Sequence, residues 1–369
     1  MKKSLLILIL ICFGLATLVM GGCGQESETG NNESANNEAA EENQDPVKLN
    51  FVSAYVDAHP TTINAFNPWE EKAGQLSNGL LTIQHYAPNT LCPEKEAFDS
   101  AIGGFVDIGS GFNGYFPGKF TYSEVMELPL IVKSSESGSL VMMELLEKFP
   151  ALKEQYSEAE LLWMWVSATY NLHTVDKEVR TLEDLKGLKI IGWSPKILQM
   201  LKLLGANPLE MVAVDTYMAL ERGMADGVLC PLAPVKSYKI SDIAKYHTII
   251  DLSVGPFFSV MNKEKYAGLP EYAKKIIDDT TGMEMARQCG VTLDQGAVAD
   301  SKWMIENGHT FYVIPDDERE KWVQAVTPMW DEWVANAEKS GLSNAREVLE
   351  AAVELGKKYD AETGRGFVQ

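Results

Sequence analysis

Basic residues are scarce in this chain. Its 369 residues carry 32 Lys and Arg against 52 Asp and Glu, a formal charge of −20. Phosphate backbones are bound through basic surface, so no nucleic-acid partner is expected. Cysteine is also sparse. Of the five, Cys12 lies in the N-terminal apolar run and Cys23 just beyond it, which leaves Cys92, Cys230 and Cys289. An odd number at wide spacing is no disulfide framework, and free buried thiols are expected. The five histidines, at 59, 85, 173, 247 and 309, show no H-E-x-x-H spacing, and the cysteines show no C-x-x-C. No metal site or resident cofactor is therefore expected. A G-x-S-x-G nucleophile elbow is missing as well, which speaks against a hydrolase of that type. Long apolar runs are absent except for one, Leu5–Met20.

That run follows Met-Lys-Lys and precedes Gly21-Gly22-Cys23. A positive start, a short apolar core and small residues before a cysteine describe a secretory signal of the lipoprotein kind. It falls short of the roughly 20 residues a membrane span needs. Residues 1–22 are thus expected to be a signal peptide and Cys23 the lipidated first residue of the mature chain. Residues 23–46 hold no Lys or Arg and almost no apolar surface. Such a segment cannot offset its ordering entropy and reads as an acidic, disordered tether.

Beyond the tether, local signals alternate. Lys48–Ser53 reads as a strand, and a helix opens at Ala58-His59-Pro60 and runs to about Leu76. Leu80–Tyr86 is a second strand, a helix begins at Pro93 and ends at Gly103-Gly104, and Phe105–Gly109 is a third strand. The order β-α-β-α-β predicts a mainly parallel sheet with right-handed crossovers. The pattern returns after Val179. Thr181 and Asp184 have capping-box spacing, Leu188–Ile191 is a strand, and Ser194-Pro195 opens a helix that ends by Gly205. Leu209–Val214 is the next strand, Asp215 caps the next helix, and Gly227 starts another strand. Glu271–Asn307 is expected to form one long helix or two kinked ones bracing both halves. Trp322, Trp330 and Trp333 are placed on a further helix as core residues.

Two such units imply an α/β fold of two lobes. The expected division assigns 47–165 and about 256–290 to the first lobe, and 166–255 and about 291–369 to the second. Ligands of open α/β sheets bind beyond the carboxyl ends of strands. That rule selects four loops: 54–61, 109–115, 191–196 and 229–232. They are rich in aromatics, about half of which should be core. Trp193 stands out, because it directly follows a strand and precedes a helix start. An aromatic floor suits a ring, an alkyl chain or an onium group.

Several segments together resemble the substrate-binding proteins of TRAP transporters, the DctP-type family. They are Leu182-Glu183-Asp184-Leu185-Lys186-Gly187-Leu188-Lys189-Ile190, Leu204-Gly205-Ala206-Asn207-Pro208 and Tyr217-Met218-Ala219-Leu220-Glu221-Arg222-Gly223. Phe105-Val106-Asp107-Ile108-Gly109 and Glu127-Leu128-Pro129 support them. The resemblance implies a periplasmic-binding-protein-like fold with crossover strands and no catalytic role. It further implies an extracytoplasmic receptor that closes on a small solute and delivers it to a permease driven by an ion gradient. A monomer is expected, with a dimer left open. The resemblance adds the segments around 165–171 and 257–258 to the candidate site. It also implies a carboxylate-clamping arginine in a Lys-Ile-Arg motif, and here the motif reads Lys189-Ile190-Ile191, with Asn171 where an upstream strand often supplies another. The candidate ligand-binding residues are accordingly Tyr55, His59, Ser110, Phe112, Asn113, Trp165, Asn171, Ile191, Trp193, Cys230 and Phe257. The solute is expected to depend on stacking and neutral hydrogen bonds more than on an arginine.

Two rival readings remain. Gly109-Ser110-Gly111-Phe112-Asn113-Gly114 is a formal dinucleotide fingerprint, which raises an NAD-dependent oxidoreductase. It follows the third strand and not the first, and Pro117-Gly118 falls where the phosphate-binding helix should run. A lipoprotein that feeds a sensor or chemoreceptor is the other, since it would share the receptor fold.

Overall fold

The computed structural model describes residues 45–364. Residues 1–22, Cys23 and nearly all of the tether lie outside them. Eleven strands form two sheets. They are β1 (Val47–Val52), β2 (Leu81–Tyr86), β3 (Ile108–Phe112), β4 (Glu160–Val166), β5 (Tyr170–Thr174), β6 (Lys189–Gly192), β7 (Asn207–Glu210), β8 (Gly227–Pro231), β9 (Tyr246–Ile249), β10 (Pro256–Met261) and β11 (Thr310–Val313). The first sheet has the order β2-β1-β3-β10-β4 and the second β11-β9-β5-β8-β6-β7. β1 pairs in parallel with β2 and β3, and β6 with β7 and β8. β10 and β5 run antiparallel to their neighbours because each enters its sheet from the other lobe. The architecture is the expected two-lobed α/β fold with mixed, mainly parallel sheets.

Two short segments cross between the lobes, 167–169 after β4 and 250–255 before β10. They are tied together by Ser167 N–H to Gly255 O (2.8 Å), Tyr170 N–H to Ser253 O (2.8 Å) and Thr169 Oγ1 to Asp251 Oδ1 (2.7 Å). A third connection is the long helix Gly282–Glu306. Its Asp294 carboxylate accepts the N–H groups of Ser135 and Glu136 (2.9 Å each) at the start of the helix Ser135–Lys148, on the first lobe. Its Asp300 pairs with Lys236 of the second lobe at 3.2 Å. At Gly290 an added Cβ would lie 2.6 Å from Glu136 Cα, so glycine there lets the two helices meet backbone to backbone.

Several boundaries differ from the sequence reading for physical reasons. The stretch 271–307 takes the second of its two expected forms, two helices, and only the break is new: it falls at Gly282, whose φ of +69° ends one helix and starts the next. The third strand begins at Ile108, because Phe105 is exposed and Asp107 turns to accept the Asn50 N–H at 2.7 Å. β7 stops at Glu210, and the following helix starts at Ala213 without a side-chain cap from Asp215. The first N–H of that helix is capped instead from the opposite lobe. Trp322 lies on one helix and Trp330 and Trp333 on the next, separated at Thr327-Pro328. The last helix, Ala345–Thr363, packs on the helix Ser135–Lys148 of the first lobe, whereas the sequence reading gave 291–369 to the second. The caps at Thr181–Asp184 and Ser194 form as read, and Cys92, Cys230 and Cys289 are free and buried. Among the described residues no helix is long and apolar enough to cross a membrane.

The second lobe holds a chain of three buried histidines. His173 Nε2 lies 3.1 Å from Cys230 O, and the two Nδ1 atoms of His173 and His247 are 2.8 Å apart. His247 Nε2 is 2.9 Å from His309 Nδ1, and Lys245 Nζ is 3.3 Å from His309 Nε2. A carbonyl only accepts, so each ring in turn must donate from one nitrogen and accept at the other. All three are therefore neutral. Burial pushes His173 down to about 4 and His247 down to about 2, and it lowers His309 as well.

Candidate functional site

The carboxyl ends of β1, β3, β6, β7 and β8 converge between the lobes on a small cavity. The first lobe supplies Ala54, Tyr55 and His59 after β1, Glu94 after β2, Phe112 and Tyr115 at the end of β3, and Phe257 from β10. The second supplies Tyr170 from the start of β5, Trp193 after β6, Ala213, Pro231, Pro234 and Tyr238, and Leu293 comes from the long helix. Each segment singled out from sequence contributes at least one residue to this wall. Glu94, Ala213, Pro234, Tyr238 and Leu293 lie outside those segments.

The wall is mostly aromatic, and its rings are held in place. Tyr55 stacks on His59 with centroids 3.8 Å apart and planes 3° from parallel. Phe257 stacks on Trp165 and lies 5.1 Å from Phe112, which meets Tyr115 edge-on. Trp193 Nε1 donates to Thr216 Oγ1 at 2.9 Å, which fixes the indole at the cavity edge. The tyrosine hydroxyls accept from fixed donors. Trp165 Nε1 gives its proton to Tyr55 at 3.1 Å, and the Ala213 N–H gives its proton to Tyr115 at 3.0 Å. Each hydroxyl then keeps its own proton to offer. Burial raises the Tyr55, Tyr115 and Tyr170 phenols far above their usual range, so they remain neutral donors.

Two wall residues carry polar atoms without a hydrogen-bond partner among the described residues: His59 Nε2 and Glu94 Oε2. His59 Nδ1 accepts the Thr61 N–H at 3.2 Å, so the ring proton sits on Nε2 and is free to donate. Burial lowers this imidazole to about 3, which keeps it neutral. Glu94 is 7 % exposed. Burial lifts its carboxyl to about 7, helped by Asp215 and opposed by Lys95. Among the described residues, no arginine or lysine lines the cavity.

The remaining sequence candidates stand behind or beside the wall. Trp165 is fully buried behind Tyr55 and Phe257. Asn171 spends its amide on the crossover, where its Oδ1 accepts from the N–H groups of Ile250 and Asp251 and its Nδ2 donates to Thr169 O. Ile191 and Cys230 are buried within the second sheet. Asn113 donates to the Tyr156 hydroxyl at 2.6 Å, and Ser110 is enclosed in the first sheet. The glycines of the dinucleotide-like run serve close packing. A Cβ at Gly109 would lie 2.4 Å from Ala97 O, and one at Gly114 would lie 2.4 Å from Ser194 Cβ across the cleft. The run is a strand and a single 3-10 turn, with no helix N-terminus for a pyrophosphate.

The lobes are shut over the cavity. Ser194 Oγ donates to Glu127 Oε2 at 2.5 Å while capping its own helix by accepting the Ile197 N–H. Lys196 pairs with Glu124 at 3.1 Å. Burial raises Glu127 to about 8, with the Ser194 bond opposing that rise. These contacts belong to neither half alone, and none of them lines the cavity.

The chain matches the family described as bacterial extracellular solute-binding protein, family 7 (DctP), over residues 52–336. It is 25% identical over 318 residues to the C4-dicarboxylate-binding periplasmic protein DctP of Rhodobacter capsulatus, covering 84% of this chain and 92% of that protein. Among solved structures, a TRAP solute-binding protein of Rhodoferax ferrireducens with copurified benzoate superposes with a TM-score of 0.82. It is 27% identical and covers 86% of this chain and 100% of its own. A marine metagenome TRAP protein specific for aromatic acids, crystallised with 3-hydroxybenzoate, gives the same TM-score and coverage at 28% identity.

Proposed function

Because this chain belongs to the bacterial extracellular solute-binding proteins of family 7, the DctP-type receptors of TRAP transporters, we propose that its interlobe cavity is the solute site and that the closed form docks on a membrane permease. The observation that carries this reading is the cavity itself, walled by both lobes at the carboxyl ends of five strands and sealed by contacts that only a closed cleft can make. A wall split between two lobes couples binding to closure, since the solute has all its contacts only when the lobes meet. The crossovers at 167–169 and 250–255 are the hinge. In the related structures the occupants are aromatic acids such as benzoate and 3-hydroxybenzoate. A compact solute with a flat apolar body fits the aromatic wall here too. The wall residues Tyr55, His59, Phe112, Trp193 and Phe257 contact it, with Tyr115, Tyr170, Tyr238 and Glu94.

Cys23 carries the lipid that holds the receptor at the extracytoplasmic face, with 24–46 as its tether. Cys23→Ser should release the receptor from the membrane fraction. The receptor reading is tested by small-angle scattering with and without solute. Solute should compact wild type and leave Ala213→Trp, which fills the cavity, unchanged. Binding without compaction, or binding that survives Ala213→Trp, would count against it.

A further inference from the structure

Resting on the receptor reading, we propose that the solute of this cavity bears a cationic nitrogen on a compact, flat, apolar body, with Glu94 as its counter-ion. Glu94 is almost wholly buried, lines the cavity, and leaves Oε2 without a partner among the described residues. A buried carboxylate oxygen without a donor is costly, so its position asks for a donor from the occupant. The rest of the wall favours the same charge. The faces of aromatic rings attract cations, and the box is built from Tyr55, Phe112, Tyr115, Trp193, Tyr238 and Phe257.

An anionic solute has nothing comparable. Lysines and an arginine of the cleft seam and crossover are engaged elsewhere. Lys196 is paired with Glu124, and Arg319 donates to the carbonyls of Ile250 and Asp251. Lys95 lies 6.0 Å from the Tyr115 ring centroid without entering the cavity wall. A carboxylate placed inside would force Glu94, already raised to about 7, to keep its proton, and it would otherwise meet only neutral donors. The His59 Nε2–H then serves a different part of the solute, accepting groups on the apolar body.

The test compares three probes of one shape by titration calorimetry at pH 7.5: benzylamine, benzyl alcohol and benzoate. Benzylamine is expected to bind about tenfold tighter than the alcohol, from the cation–π and ion-pair contributions, and tighter still than benzoate. Glu94→Gln keeps the shape of the side chain and removes the carboxylate charge. It should erase the preference for the amine over the alcohol, read as the ratio of the two affinities within the variant. The wild-type ranking of the three probes needs no variant and stands if Glu94→Gln folds poorly. Tighter binding of benzoate, or an amine preference that survives Glu94→Gln, overturns the proposal and leaves the receptor reading intact. So does failure of all three probes while some other carboxylate or neutral solute compacts the protein. The receptor reading itself fails only if no solute of any charge does so.

Discussion

Replacing His247 by Gln should destabilise the protein less in mild acid than at neutral pH. The histidine chain that runs from Cys230 O to Lys245 leaves His247 with a donor on one side and an acceptor on the other, so the folded protein has no place for a second proton. Its folded value lies near 2, because burial and the neighbouring His173 and His309 both oppose the charge. The unfolded chain takes up that proton near pH 6.5. Below that pH the unfolded state binds more protons than the folded state, so stability falls as pH falls. At pH 5 the unfolded residue is about 1.5 pH units below its midpoint, which costs the wild type about 2 kcal/mol. That figure hardly depends on the folded value so long as it stays well below 5. The variant loses two buried hydrogen bonds at every pH but escapes the acid cost. Its deficit relative to wild type should therefore shrink by about 2 kcal/mol between pH 7.5 and pH 5. Urea unfolding of both proteins at both pH values measures this double difference. Other groups, such as Asp294 with its carboxyl raised to about 7, cancel between the two proteins. An equal deficit at the two pH values would show that a proton can enter the chain and would refute the neutral-tautomer assignment.

Trp193→Ala should weaken binding of whichever probe the cavity takes by about tenfold or more, while Trp193→Phe, which gives up the Thr216 bond, keeps most of it; calorimetry decides. Glu127 has its carboxyl raised to about 8 by burial in the shut cleft, so closure that buries it takes up a proton, and closure should weaken as pH rises through 8. Glu127→Gln should flatten that dependence in an interlobe fluorescence distance measured from pH 6 to 9. Gly290→Ala should cost about 1–3 kcal/mol in thermal or urea unfolding, because the new Cβ meets the backbone of Glu136.

Much of this molecule could be read locally. Thr181 with Asp184, Ser194 with Pro195 and the strand–helix alternation are short-range signals, and the structure follows them. The loops chosen by the strand-end rule all reach the cavity, since that rule depends on sheet geometry alone. What escaped was set by closure. Glu94 stands in the charged run Pro93-Glu94-Lys95-Glu96, which reads as a solvated helix start until the second lobe covers it. Tyr238 follows a short helix with no pattern of its own. Ala213 is capped by the Tyr115 hydroxyl from the opposite lobe, so a search for its cap within the same segment settles on Asp215. Asn171 read as a binding residue because it stands where the resembled family's upstream strand often supplies an arginine, yet its amide holds the crossover together.

Ser194, Glu127, Lys196 and Glu124 fasten the lobes without touching the cavity. Whatever free energy they contribute is the same for every occupant. A change of wall residue can then alter what is held without altering how firmly the cleft shuts, and a change at the fastening rescales all affinities by one factor. Such a receptor could drift to a new solute through its wall alone while presenting its permease with an unchanged closed surface.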